Sequence, residues 1–260
     1  MEIAVLGSGS GGNCTYLAGG STRLLVDAGF GIRSLKRRLT DCGLQPSSID
    51  ALLITHGHSD HVAWACRLSE QFGLTVYVNE GTFEEVPALR EVERCVVFQS
   101  GDSFQAGDFV VQSIPVPHDS SDPVCFRLEV EGIAGLVATD FGRVTPPLAE
   151  ACRDCSWLVL ESNHDEQLLR IGPYPWQLKR RVSGGRGHLS NRALADFLSR
   201  GLENLPAHLL LAHLSRQNNL PELALETAVE ALSGRLPFGS GPSSQVHLTD
   251  QYKPSIVIRL

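Results

Sequence analysis

The chain has 260 residues and seven scattered cysteines, with 22 Lys and Arg against 29 Asp and Glu for a formal charge of −7. The length suits one large core, and the sequence has neither an apolar run of about 18 residues nor a basic start followed by a long apolar stretch. An odd cysteine set argues against a disulfide framework, so a reduced, cytoplasmic protein is expected, and the acidic balance by itself argues against sequence-independent nucleic-acid binding.

The strand-like EIAVL leads into GSGSGG, in which Gly7, Gly9 and Gly12 fit G-x-G-x-x-G, and Asp27 closes a later β-like run. A dinucleotide-binding fingerprint needs a helix next, whereas CTYLA and RLLVDA read as a hairpin, so no nucleotide cofactor is expected. The amphipathic GIRSLKRRLTDCG follows, and its Arg33, Lys36, Arg37 and Arg38 read as a solvated face.

Next the apolar ALLIT runs into THGHSDHV, which places His56, His58, Asp60 and His61 within six residues. Alternation along an extended segment sends His56 and His58 to one side, and a turn into a helix swings Asp60 and His61 toward a neighbouring position. Three imidazoles and a carboxylate at the end of a strand have the composition of a metal site. One short loop cannot complete two coordination shells, so distant ligands are needed. His118 after SIPVP, Asp140 in GLVATD and His213 in LLLAH each follow an apolar run and are the candidates. Cys152 and Cys155 form a C-x-x-C with no second pair to complete a zinc site.

From Gln167 to Ala195 there is no Asp or Glu, while Arg170, Lys179, Arg180, Arg181, Arg186 and Arg192 carry positive charge. Tyr174 and Trp176 are interleaved with these cations, and the glycines of SGGRGHLSN can let backbone amides approach an anion. Farther on, NRALADFLSRGL and PELALETAVEALSG read as helices, with Ser190 and Asn191 at the cap of the first. His208 and His247 fall in strand-like runs and read as structural. Strands joined first as hairpins and later alternating with helices argue for two mixed sheets with helices outside both, in one domain spanning residues 1–260.

Taken together, Asp27, the H-x-H-x-D-H of His56 to His61, His118, Asp140 and His213 resemble the motifs of the metallo-β-lactamase superfamily of hydrolases, in the same order and over most of the chain. The resemblance implies an α/β fold, the four-layer αβ/βα sandwich, with two divalent ions, zinc or manganese. It implies that His56, His58 and His118 hold one ion and Asp60, His61 and His213 the other, that Asp140 bridges them, and that Asp27 braces the ligand loop. A hydroxide shared by two ions is a nucleophile at neutral pH.

Glu161 in WLVLESNHD and His188 in GHLSN are similar to the Glu and His of the superfamily's phosphodiesterase branches. In those branches the His donates a proton to the leaving oxygen and the carboxylate orients it, so Asp60, Glu161 and His188 become the catalytic set and Arg186, Ser190 and His164 the expected substrate contacts. The segments ESNHD, GPYPWQLKRRV and GHLSN look like those of the small bacterial YycJ (WalJ/VicX) group. That implies a nuclease with nucleic acid as partner, acting 5′ to 3′ on DNA. Alternative readings are a cyclic-nucleotide phosphodiesterase, a glyoxalase-like thioesterase, or a metal-stabilised regulatory module without catalysis.

Overall fold

A computed structural model describes residues 1–46, 49–233, 235 and 245–260. The strands are β1 (Glu2–Gly7), β2 (Cys14–Gly19), β3 (Thr22–Val26), β4 (Ala51–Leu53), β5 (Thr75–Asn79), β6 (Cys95–Phe98), β7 (Ser103–Ala106), β8 (Phe109–Pro115), β9 (Val124–Val130), β10 (Ile133–Ala138), β11 (Trp157–Glu161), β12 (His208–Ala212), β13 (Val246–Leu248) and β14 (Ile258–Arg259). The helices are α1 (Ile32–Asp41), α2 (Ser59–Val62), α3 (Ala65–Phe72), α4 (Glu80–Glu85), α5 (Pro146–Ala151), α6 (Glu166–Ile171), α7 (Trp176–Val182), α8 (Asn191–Asp196) and α9 (Pro221–Ser233). Gly234, which ends the helical pattern PELALETAVEALSG, lies outside the described residues.

The strands form two mixed seven-stranded sheets, ordered β14-β1-β2-β3-β4-β5-β6 and β13-β12-β11-β10-β9-β8-β7. In the first, β1, β2 and β3 are antiparallel and β3 to β6 parallel. In the second, β7, β8 and β9 are antiparallel and β10 to β13 parallel. The chain divides into two compact units, one of Met1–Pro115, Ser120–Ile133 and Asp250–Leu260, the other of Val116–Asp119 and Ala134–Thr249.

In the first unit, the apolar stripes of α1 and α3 (Leu35, Leu39, Ala65, Leu68) cluster with Leu6, Leu25, Leu52 and Val76 of the sheet. Each helix buries its hydrophobic face against strands that are themselves apolar on that side. One cation of α1 departs from the expected solvated face. Arg33, Lys36 and Arg37 are exposed, but Arg38 is buried. Its Nη1 donates to the Leu6 carbonyl at 2.7 Å and its guanidinium lies 4.2 Å from the Phe30 ring centre. The same contact explains Gly7, where a Cβ would fall 1.9 Å from Arg38 Nη1. Gly12, at φ 134°, likewise packs on the Gly29 carbonyl. The N-terminal glycines therefore serve backbone packing, and the chain after them enters β2, not a helix.

In the second unit β10, β11 and β12 are almost wholly buried and apolar, as parallel strands covered on both faces require. Being parallel, they end at one edge, and this brings Asp140, Glu161 and His213 together, with Glu161 in register with Ala212. His208 and His247 are a pair: Nδ1 of the first lies 3.0 Å from Nε2 of the second. The residues of the C-x-x-C are both buried thiols.

Candidate active site

In the first unit the loop after β4 carries His56 and His58, and the short α2 carries Asp60 and His61. The rings of His56 and His58 are 4.7 Å apart, those of His56 and His61 4.1 Å. Nε2 of His61 is 3.7 Å from Asp60. Asp27 organises this loop from the end of β3. Its carboxylate lies 2.7 Å from Nδ1 of His61 and accepts from both the amide and the hydroxyl of Thr55 at 2.9 Å. A carboxylate accepts only, so His61 carries its proton on Nδ1. The single proton of Thr55 is likewise spent on Asp27. Its oxygen therefore accepts from His56 Nδ1, 3.0 Å away. Asp27 thus fixes the tautomer of His61 directly and of His56 through Thr55, leaving both rings with the Nε2 lone pair. The Asn13 side-chain amide lies 2.9 Å from that nitrogen of His61.

The second unit repeats the device. Nδ1 of His118 is 3.0 Å from the Gly187 carbonyl, which can only accept, so His118 also presents Nε2. Nδ1 of His213 is 2.9 Å from Glu161 Oε1. The same oxygen is 2.8 Å from Nδ1 of His188, while Oε2 accepts from the amides of Phe141 and Leu189 at 2.9 and 3.1 Å. Ligand atoms of Asp140, Glu161, His188 and His213 all lie within 4.8 Å of one another. Oδ1 of Asp140 is 3.5 Å from His188 Nδ1 and 3.9 Å from His118 Nε2.

Burial alone pushes the wholly buried Glu161 carboxyl up, but the charge of His188 and hydrogen bonds from His188 and His213 outweigh it and hold the group at about 2. Burial pulls the His188 imidazole down, yet the charge and hydrogen bond of Glu161, with Asp140 behind them, raise it above its ordinary value. His118 is lowered by burial, with Asp140 opposing. The arrangement therefore disfavours the charged form of His118 and favours that of His188. Imidazoles of fixed tautomer beside carboxylates are a donor set for divalent metal ions.

Three strand-end residues pay for their placement in backbone strain. Asp27, Asp140 and His213 have φ of 66°, 61° and 56°, in the left-handed region that side chains other than glycine disfavour. Three loops of the second unit are stitched by buried amides. Ser162 donates to Asn191 at 2.8 Å, Asn191 to Asn219 at 2.8 Å, and Asn219 to the carbonyls of Ser162 and Asn163 at 2.9 and 3.0 Å. Asn163 donates to the His213 carbonyl at 2.8 Å. Sequence reasoning missed Thr55, which contacts His56 directly, Asn163, which holds the His213 carbonyl, and Asn219, which acts through Asn191 and the backbone of Ser162 and Asn163.

Two of the expected substrate contacts have partners within the protein. The Ser190 hydroxyl accepts from the Ala193 amide at 3.1 Å and donates to Glu166 at 3.0 Å, so it is committed to capping α8. His164 is buried and lowered by that burial, with its chain bridged to Ser190. Arg186 remains exposed, with its Nε donating to the His118 carbonyl at 3.0 Å. Part of the glycine run is committed to backbone hydrogen bonds rather than to an anion. The Gly187 amide donates to Gly184 and that of His188 to Val182, both at 2.8 Å. A Cβ at Gly187 would fall 2.1 Å from the Arg181 carbonyl, and one at Gly142 2.4 Å from Gly185, so these glycines allow α7 and the loop after Asp140 to close on the His188 loop. Arg143, also missed, reaches over Gly185.

The beta-lactamase superfamily domain matches residues 22–213. Exodeoxyribonuclease WalJ of Streptococcus pneumoniae is 35% identical over 254 residues, covering 96% of this chain and 94% of that protein. Exodeoxyribonuclease YycJ of Bacillus anthracis is 32% identical over 258 residues, with 98% and 97% covered. The solved metallo-β-lactamase fold protein YhfI of Bacillus subtilis superposes with a TM-score of 0.73 at 17% identity over 99% of both chains.

Proposed function

The chain belongs to the metallo-β-lactamase superfamily, and from that premise we propose that it is a two-metal phosphodiesterase that degrades DNA from the 5′ end. The exodeoxyribonuclease names of its WalJ and YycJ relatives support the substrate. In this reading residues 1–260 act as one catalytic domain. His56, His58 and His118 would hold one ion and Asp60, His61 and His213 the other, with Asp140 shared between them. Two divalent ions, zinc or manganese, supply a water-derived nucleophile at neutral pH and offset charge on the phosphate.

The observation that carries phosphodiester chemistry is the 2.8 Å contact of Glu161 with His188. An alkoxide leaving from phosphorus needs a proton far more than a thiolate does. With Nδ1 held by Glu161, His188 keeps its second proton on Nε2 and delivers it to the leaving oxygen as the P–O bond breaks. Glu161, buried and ionised, maintains that proton and the direction of the ring. Arg186 beside this loop holds a phosphate oxygen, while His164 and Ser190 shape the loop.

The test is degradation of DNA and RNA carrying a label at either end, with added Mn²⁺, Zn²⁺ or Mg²⁺. Progressive loss of nucleotides from the 5′ end of DNA is expected. Intact DNA with every ion, beside turnover of a cyclic nucleotide or a thioester, would refute the assignment.

A further inference from the structure

Among the described residues, the two most exposed large apolar side chains are Ile171, at 74%, and Trp176, at 72%. Both lie in the segment without a single carboxylate, between Gln167 and Ala195. Trp176 opens α7, and Pro173 and Pro175 flank Tyr174 just before it. An indole left this wet forgoes the burial that normally places tryptophan inside, so its exposure calls for a partner.

Hydrogen bonds and an ion pair tie the segment to its neighbours. Lys179 Nζ donates to the Arg170 carbonyl at 2.7 Å, which ties α7 back to the end of α6. Arg181 pairs with Asp119. At the other end the His188 amide donates to Val182 at 2.8 Å, so α7 is joined directly to the loop that carries His188. Trp176 and Val182 bound a helix of seven residues, roughly 9 Å of axial rise between them. At the roughly 3.4 Å per nucleotide of a stacked strand, that is about two to three nucleotides. Exposed Arg170 and Arg180 stand six residues before and four residues after Trp176 in the chain, and among the described residues Arg180 is in no ion pair.

We propose that α7 and the turn before it form a stacking platform for single-stranded DNA, with a base on Trp176 and backbone phosphates on Arg170 and Arg180, a few nucleotides from the bond that His188 serves. This deepens the phosphodiesterase reading and rests on it. An aromatic face accepts any base, and neighbouring cations track the backbone, which is the chemistry of sequence-tolerant single-strand binding. In a duplex the bases are stacked on each other and only the terminal pair offers the indole a face, so the platform favours an unpaired strand. A segment that carries exposed cations and no carboxylate of its own favours a polyanion over an apolar protein partner.

The metal-loaded protein is titrated with a 5′-labelled single-stranded oligonucleotide and with the same sequence as a blunt duplex, and kinetics are followed on both. Trp176→Ala is expected to weaken single-strand binding on the order of tenfold, raising KM with kcat unchanged, while Trp176→Phe restores most of it. Arg180→Ala is expected to lower the slope of log affinity against log salt by about 0.7. Turnover of bis(p-nitrophenyl) phosphate stays at the parental rate in all three. Parental affinity in Trp176→Ala, or equal losses on single strand and duplex, overturns the platform. Failure of the parent itself to hydrolyse either DNA or the small diester overturns the underlying reading instead.

Discussion

Oε1 of Glu161 sits 2.8 Å from Nδ1 of His188 while the other oxygen of the same carboxylate is fixed by two backbone amides. The carboxylate cannot turn away without abandoning those amides, so the direction of the imidazole is built into the ends of β10 and β11 and the loop before α8. Because Oε1 also faces His213, one buried charge orders two histidines with different tasks.

Glu161→Gln tests that charge. His188 is raised by Glu161, so the proton donor is present below the raised value and lost as pH rises through it. Removing the carboxylate's charge lowers His188, and the falling limb of the pH–rate profile for kcat is expected to move to lower pH. An unmoved limb in an otherwise slower variant would separate Glu161 from the proton.

Thr55→Val keeps shape and removes the hydroxyl between Asp27 and His56. The His56 tautomer is then no longer specified, and metal affinity is expected to fall about ten- to a hundredfold. Competition with a chelator of known affinity measures it, with the Asp27 contact to His61 intact as an internal reference.

Arg38→Met leaves the Leu6 carbonyl without its buried donor. A loss of about 1–3 kcal/mol in denaturant unfolding is expected, with metal content unchanged. The same measurement on Gly7→Ala reports whether the guanidinium can yield to a Cβ.

Stability should also fall in mild acid because of a pair remote from the catalytic residues. Burial lowers both His208 and His247 from the ordinary 6.5, and His208 lowers His247 further. The unfolded chain therefore takes up protons at a higher pH than the folded one, so stability is full above the ordinary value and declines as pH falls below it. His247→Gln should flatten that decline in thermal melts recorded across the range.

The contiguous part of the site was legible because chemistry and secondary structure coincide there. His56 to His61 lie at one strand end, and Asp140, Glu161 and His213 close apolar runs that become neighbouring parallel strands. Thr55, Asn163 and Asn219 were not legible, since each acts through a segment remote in sequence and carries no reactive group. The glycine run around Gly187 shows a different limit. Room for an anion and room for a helix carbonyl demand the same missing Cβ, and only the contact with Arg181 distinguishes them. Arg38 looked solvated because helical periodicity ranks faces but does not reveal a carbonyl waiting above one cation. The left-handed backbone of Asp27, Asp140 and His213 has no sequence signature when the residue is not glycine.

The central claim is that His188 donates a proton and holds no metal. His188→Ala is purified beside the parent, its metal content measured, and its rate followed on 5′-labelled single- and double-stranded DNA. Full metal content with a rate lower by about 10²–10⁴ is predicted. Loss of metal, or an undiminished rate, would contradict it.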